Sequence, residues 1–103
     1  MTTHLYLVFS NPADGREDEY NNWYDKIHLA DVAAVPGVVA ARRLQLSPSG
    51  DTPPKHQYLA IYELEGDPHA VLATVRQRAG GSQMPISDAL DTSSIETTLW
   101  RMR

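Results

Sequence analysis

Tyr20-Asn21-Asn22-Trp23-Tyr24-Asp25-Lys26-Ile27-His28 is the stretch on which the fold reading turns. At about 100° per residue, Tyr20, Trp23, Tyr24, Ile27, Ala30 and Ala34 fall on one stripe of a helix, with Asp18, Asn22 and Lys26 on the other side. Asp14 is the expected N-cap, and Glu17, Asp18 and Glu19 lie near the N-terminus, where the helix dipole favours negative charge. Pro36-Gly37 ends the segment. A helix running unbroken to Val35 would set Asp31 inside the apolar stripe and Leu29 on the polar side. A break or kink is therefore expected between His28 and Asp31, with Asp31 capping a short second turn over residues 32–35.

Outward from this helix, residues 5–9 form a short apolar run rich in β formers and closed by turn residues, which reads as a strand. Residues 38–46 and 57–65 read as two more strands joined by a connection over 47–54 that is longer than a tight turn. Asp67-Pro68 has the form of a helix start, a capping side chain followed by proline at the first helical position. Val71, Leu72, Val75 and Ala79 give that helix its buried face, and Gly80-Gly81 stops it. Residues 82–93 read as polar and irregular with a single turn around 86–90, and 94–102 as a last strand. The order predicts an α+β, ferredoxin-like βαββαβ chain, a four-stranded antiparallel sheet with two helices on one face. Leu5, Leu7 and Phe9 point opposite to Tyr6 and Val8, and Leu59 and Ile61 opposite to Tyr58, Ala60, Tyr62 and Leu64. Both sheet faces are thus apolar, which predicts a symmetric homodimer whose open sheet faces pack together.

At 103 residues the chain is expected to be a single domain over 1–103, since two independent cores do not fit in this length. Nine basic against thirteen acidic side chains leave a net charge of −4, and the pI is about 5.4. That balance argues against a nucleic-acid or anionic-membrane partner. With no cysteine there is no disulfide, thiolate zinc site or cysteine nucleophile. No apolar run approaches the roughly 18–20 residues of a membrane span, and the first residues lack the basic region of a signal peptide, so a cytoplasmic protein is expected.

The aromatic helix from Tyr20 to His28, followed by Val35-Pro36-Gly37-Val38 and a strand carrying Arg42 and Arg43, resembles the EthD-like branch of the dimeric α/β-barrel superfamily. The resemblance covers roughly residues 17–43; beyond them only the order of elements agrees. The superfamily includes muconolactone and methylmuconolactone isomerases, aromatic polyketide cyclases, cofactor-free quinone-forming monooxygenases, haem-degrading monooxygenases and proteins of no established activity. It implies a cavity between helix and sheet in each subunit, with a histidine at its wall. Only His28 transfers by motif position. Asn22, Trp23 and Trp100 are residue types of a haem site without its spacing, and no cofactor is assigned.

His28 follows Tyr24 by one turn and precedes Asp31 by three residues, so a carboxylate at a helix break would hold one imidazole nitrogen while the other faces a cavity. Such a pair is a reasonable general base or acid. Asp25, also three residues away, is the alternative partner, and Tyr24 a secondary proton donor. The bland alternative is a boundary histidine satisfied by backbone or water. Tyr20, Trp23 and Tyr24 read either as the lining of a flat pocket or as core. Arg42 and Arg43, adjacent on a strand, point to opposite faces. The inward one is a candidate for a carboxylate or enolate oxygen; an intersubunit ion pair is the alternative. Tyr58 and Tyr62 share a face and either line the cavity or pack in the dimer interface. His4, His56 and His69 have no metal-site spacing, so no metal is assigned. No nucleophile elbow, phosphate loop or dinucleotide fingerprint is present.

These readings converge on a cofactor-independent enzyme that moves protons on a hydrophobic carbonyl, lactone or polyketide-like substrate, by isomerisation, cyclisation or dehydration. A cofactor-free monooxygenase on a phenolic substrate is the alternative within enzymes. A ligand-binding or purely structural dimer is the alternative outside them.

Overall fold

The computed structural model describes every residue except Thr52, which falls in the expected 47–54 connection and lies outside the described residues. Strands β1 (His4–Pro12), β2 (Val38–Gln45), β3 (Tyr58–Leu64) and β4 (Leu90–Arg101) form one antiparallel sheet in the order β2-β3-β1-β4. A helix of three segments, α1 (Glu17–Trp23), a π-helical turn (Tyr24–His28) and α2 (Leu29–Ala33), links β1 to β2. A second helix, α3 (Pro68–Arg78), links β3 to β4. This is the expected ferredoxin-like α+β plan. Asp67 caps α3 as anticipated, its carboxylate accepting from the His69 amide at 3.0 Å.

Strand alternation decides which face is covered. Tyr58, Ala60, Tyr62 and Leu64 are buried, and with Tyr20, Trp23, Tyr24, Val32, Val35 and Val71 they form the core between helices and sheet. Leu5, Leu7 and Phe9 lie on the opposite face, where Leu7 pairs with Ile61 on one side and Thr98 on the other. Leu44 and Trp100 extend this apolar surface, Trp100 being 58 % exposed. Pro36-Gly37 leads into β2 at a close approach. Gly37 has φ +96°, and a Cβ there would stand 2.5 Å from Cγ2 of Val71 on α3. No helix of the described residues is long and apolar enough to cross a membrane.

The first helix departs from expectation in three ways. Its N-cap position is Arg16, without a side-chain cap, and Asp14 is exposed. There is no break between His28 and Asp31. The Leu29 amide instead donates to Tyr24 O, five residues back, and the helix continues with Asp31 inside α2 rather than at a cap. This wider turn lets one extra residue pass, so the buried face runs from Tyr20 and Tyr24 to Val32 and Val35. Ile27, Ala30 and Ala34 are exposed, contrary to the stripe drawn for regular α geometry. Near the other end of the chain, Ala79 is exposed, and the stretch read as polar contributes Met84, Ala89 and Leu90 to the interior.

Candidate functional site

Between the first helix and the sheet lies a cavity of about 160 Å³. Tyr24, His28 and Val32 line it from the helix, Tyr6, Val8, Ser10 and Tyr62 from β1 and β3, and Leu90, Ile95 and Thr97 from β4. Val75, Ala79, Met84 and Ile86 complete its wall. The π-helical turn is what brings His28 here: its ring stacks on Trp23 at 4.5 Å and meets Tyr24 edge-on at 4.9 Å. Such turns within α-helices recur at functional sites.

Three buried polar atoms in this region have no hydrogen-bond partner within the protein: His28 Nδ1, Tyr62 Oη and Asp31 Oδ2. Buried polar groups are normally paired, so these three stand out; His28 and Tyr62 are both at the cavity wall, and the Tyr62 hydroxyl interacts with that of Tyr24. Burial, with a smaller contribution from the Arg43 cation, lowers the His28 pKa to about 4, so its imidazole is neutral at pH 7. Burial pushes the Tyr24 phenol up to about 12. Burial and the neighbouring Tyr24 hold the Tyr62 phenol higher still. Both hydroxyls keep their protons at neutral pH and serve as donors.

The carboxylates expected to orient His28 do not do so here. Asp25 accepts from Arg43 Nη1 at 2.7 Å, and Asp31 makes no hydrogen bond to His28. Arg43 is the inward arginine, as the pairing of its residue with Ala60 requires, but it does not reach the cavity. Its side chain, 10 % exposed, donates to Asp25 and, at 3.0 Å, to Asn21. It lies over the rings of Tyr24, Tyr58 and Tyr20 at 4.3, 5.1 and 5.3 Å. Arg42 is on the open face and pairs with Glu63 of the same chain at 3.0 Å. Tyr20, Trp23 and Tyr58 are core residues with their polar atoms engaged: Tyr20 with Ser10 at 2.6 Å, Trp23 with Pro85 O at 3.1 Å, and Tyr58 with Glu17 and Asn21. Arg43 thus ties β2 to α1 and to the π-helical turn. Arg43→Met is expected to lower stability by about 2–3 kcal/mol through the lost charged hydrogen bonds and ring contacts, which urea unfolding would measure.

Tyr6, Ser10, Met84, Ile86, Leu90, Ile95 and Thr97 were not anticipated as cavity residues. Alternation along β1 already set Tyr6 on the face of Val8, so Tyr6 could have been found. Alternation along the last strand likewise sets Ile95 and Thr97 on one face, whereas the stretch with Met84, Ile86 and Leu90 has no periodicity to reveal them.

No family model and no curated protein matches the sequence. Solved structures do match in shape. A candidate monooxygenase from Shewanella loihica PV-4 has TM-score 0.58 and 19 % identity, over 100 % of this chain and 97 % of that one. A variant of MhuD with two manganese protoporphyrin IX bound per active site has TM-score 0.64 and 12 % identity, over 96 % and 93 %. An ethyl tert-butyl ether D (EthD) family protein from Bacillus halodurans C-125 has TM-score 0.60 and 14 % identity over the full length of both chains. The chain therefore shares the fold of an EthD family protein, the branch that residues 17–43 resemble.

Proposed function

We propose that the chain is a small-molecule enzyme working as a homodimer, and that the cavity beside His28 is its active site. The observation that carries this reading is the meeting of a neutral histidine, with Nδ1 unpartnered, and the paired phenols of Tyr24 and Tyr62 at one apolar cavity. His28 takes a proton from the carbon beside a carbonyl or lactone group. Tyr24 and Tyr62 donate to the oxygen on which negative charge develops, where donors in a dry site act most strongly. Return of the proton to a different carbon gives isomerisation; its transfer from His28 to a hydroxyl on the neighbouring carbon, which then leaves as water as the carbon–carbon double bond forms, gives dehydration. Asp25 and Asp31 have no part in this scheme, and Arg43 acts by holding the wall.

A second reading, oxygenation of a phenol without a cofactor, is favoured by the candidate monooxygenase of like fold and by an apolar cavity suited to dioxygen. The porphyrins of the MhuD variant do not carry over, because about 160 Å³ is well below the roughly 300–1,000 Å³ of pockets for drug-sized ligands. A turnover screen of cyclic enones, lactones and phenols, followed by NMR with dissolved oxygen recorded, tests both. A rearranged or dehydrated product without oxygen uptake supports the first reading, and uptake matched to product supports the second. Ligands that bind and leave unchanged overturn both in favour of a binding protein.

The dimer rests on the open sheet face, where Leu7 and Ile61 are only half-buried and Leu44 and Trp100 are exposed. Light scattering is expected to give twice the 11.5 kDa chain mass, and Leu7→Glu the single-chain mass with lower stability. A monodisperse single-chain mass for the unaltered protein would refute the dimer.

A further inference from the structure

The polarity and size of the cavity define its ligand more narrowly than the proposed reaction does, an inference that rests on reading this cavity as the active site. Fourteen residues line it, and none is Arg, Lys, Asp or Glu. The nearest buried cation, Arg43, is turned toward Asp25 and Asn21. His28 is uncharged at pH 7. A carboxylate, phosphate or ammonium group entering the cavity would therefore lose its hydration with no opposite charge to meet, the costliest form of polar burial. Polar side chains of the wall, His28, Tyr24, Tyr62, Ser10 and Thr97, are all uncharged at pH 7 and suit an uncharged oxygen. Met84, Leu90 and Ile95 supply apolar wall.

Volume sets the second limit. An engineered apolar cavity of about 150 Å³ in another protein admits benzene, and the cavity here is about 160 Å³. One six-membered ring with a small substituent fills it. Two fused rings would project from it past Ile86 and Ile95, both partly exposed at its wall, which separates this site from one built to enclose multi-ring polyketides.

We propose that the site takes an uncharged, single-ring phenol, enone or lactone, its oxygen among His28, Tyr24 and Tyr62 and its alkyl substituent against Met84, Leu90 and Ile95.

An amide NMR titration of the whole protein at pH 7 with p-cresol, 4-hydroxybenzoate and 2-naphthol tests this. p-Cresol, with the ionisation of a tyrosine side chain near pH 10, is neutral there. It is expected to shift the amides of Tyr24, His28 and Leu90 and to bind at least tenfold more tightly than either of the others. Val75→Phe, which fills part of the cavity, is expected to weaken p-cresol at least fivefold. If 4-hydroxybenzoate or 2-naphthol binds as tightly and shifts the same amides, the limit on charge or size is wrong while the cavity remains the site. If none of the three shifts those amides, or Val75→Phe leaves p-cresol binding unchanged, the cavity reading fails together with the inference.

Discussion

His28→Gln is expected to lower kcat by about 10²- to 10⁴-fold on any compound the protein turns over, with the fold intact. Glutamine keeps a polar group of similar reach at the wall but cannot take a proton, so the loss isolates the base. The ring has no hydrogen bond at Nδ1 to forfeit, and its stacking on Trp23 is a minor part of the core. The wild-type rate should be level from about pH 5 upward and fall below it with a midpoint near 4, the pH at which the buried imidazole gains its proton. Steady-state kinetics from pH 3.5 to 8 checks both. A His28→Gln protein with wild-type kcat, or an acid limb that survives the substitution, would remove His28 from the mechanism.

The same burial makes His28 a source of acid sensitivity. Its folded-state pKa, about 4, lies below the ordinary value of 6.5, so between these values the unfolded chain binds more protons than the folded one. The corresponding stability is fully present above about pH 6.5 and is lost as the pH falls toward 4. A shift of this size corresponds to about 3 kcal/mol. Urea unfolding at pH 7.5 and 4.5 should show the wild type losing most of that amount in excess of His28→Gln, with the carboxylates common to both proteins cancelling. Equal losses in the two proteins would mean that His28 is solvated in the folded state.

The order of elements was legible because strands and helices announce themselves by period and by turn residues, as with Asp67-Pro68 before α3. The apolar character of both sheet faces was legible for the same reason. The wall residue His28 was reached by resemblance to a family motif; the way it arrives there was not. Regular α geometry put Ile27 on the buried stripe and forced a choice between burying Asp31 and breaking the helix. A π-helical turn is a third solution that residue spacing does not display. Adjacent arginines said that one would face inward. Only the register with β3 says that it is Arg43, and only tertiary structure shows Asp25, Asn21 and three rings taking up its donors and faces. Tyr20 and Tyr58 were candidates for the cavity on the same grounds as Tyr24 and Tyr62. Their hydroxyls are instead tied to Ser10, Glu17 and Asn21. Met84 and Leu90 were hidden because isolated apolar anchors in irregular chain make no pattern.

The π-helical turn at Tyr24–His28 also governs how this chain can be compared with others. A helix that passes the same point in regular α geometry needs one residue fewer to reach the same place beside the sheet. Superposed on such a chain, the two halves of this helix can be aligned only with a one-residue gap between Tyr24 and His28. A gap-free alignment anchored on Tyr20 and Tyr24 pairs every later helical position, His28 included, with the wrong neighbour, and one anchored on Val32 and Val35 misplaces the aromatic half instead. A single deletion within this turn would accordingly do more than shorten the protein: it would change the angle at which the imidazole meets the cavity and break its stacking on Trp23.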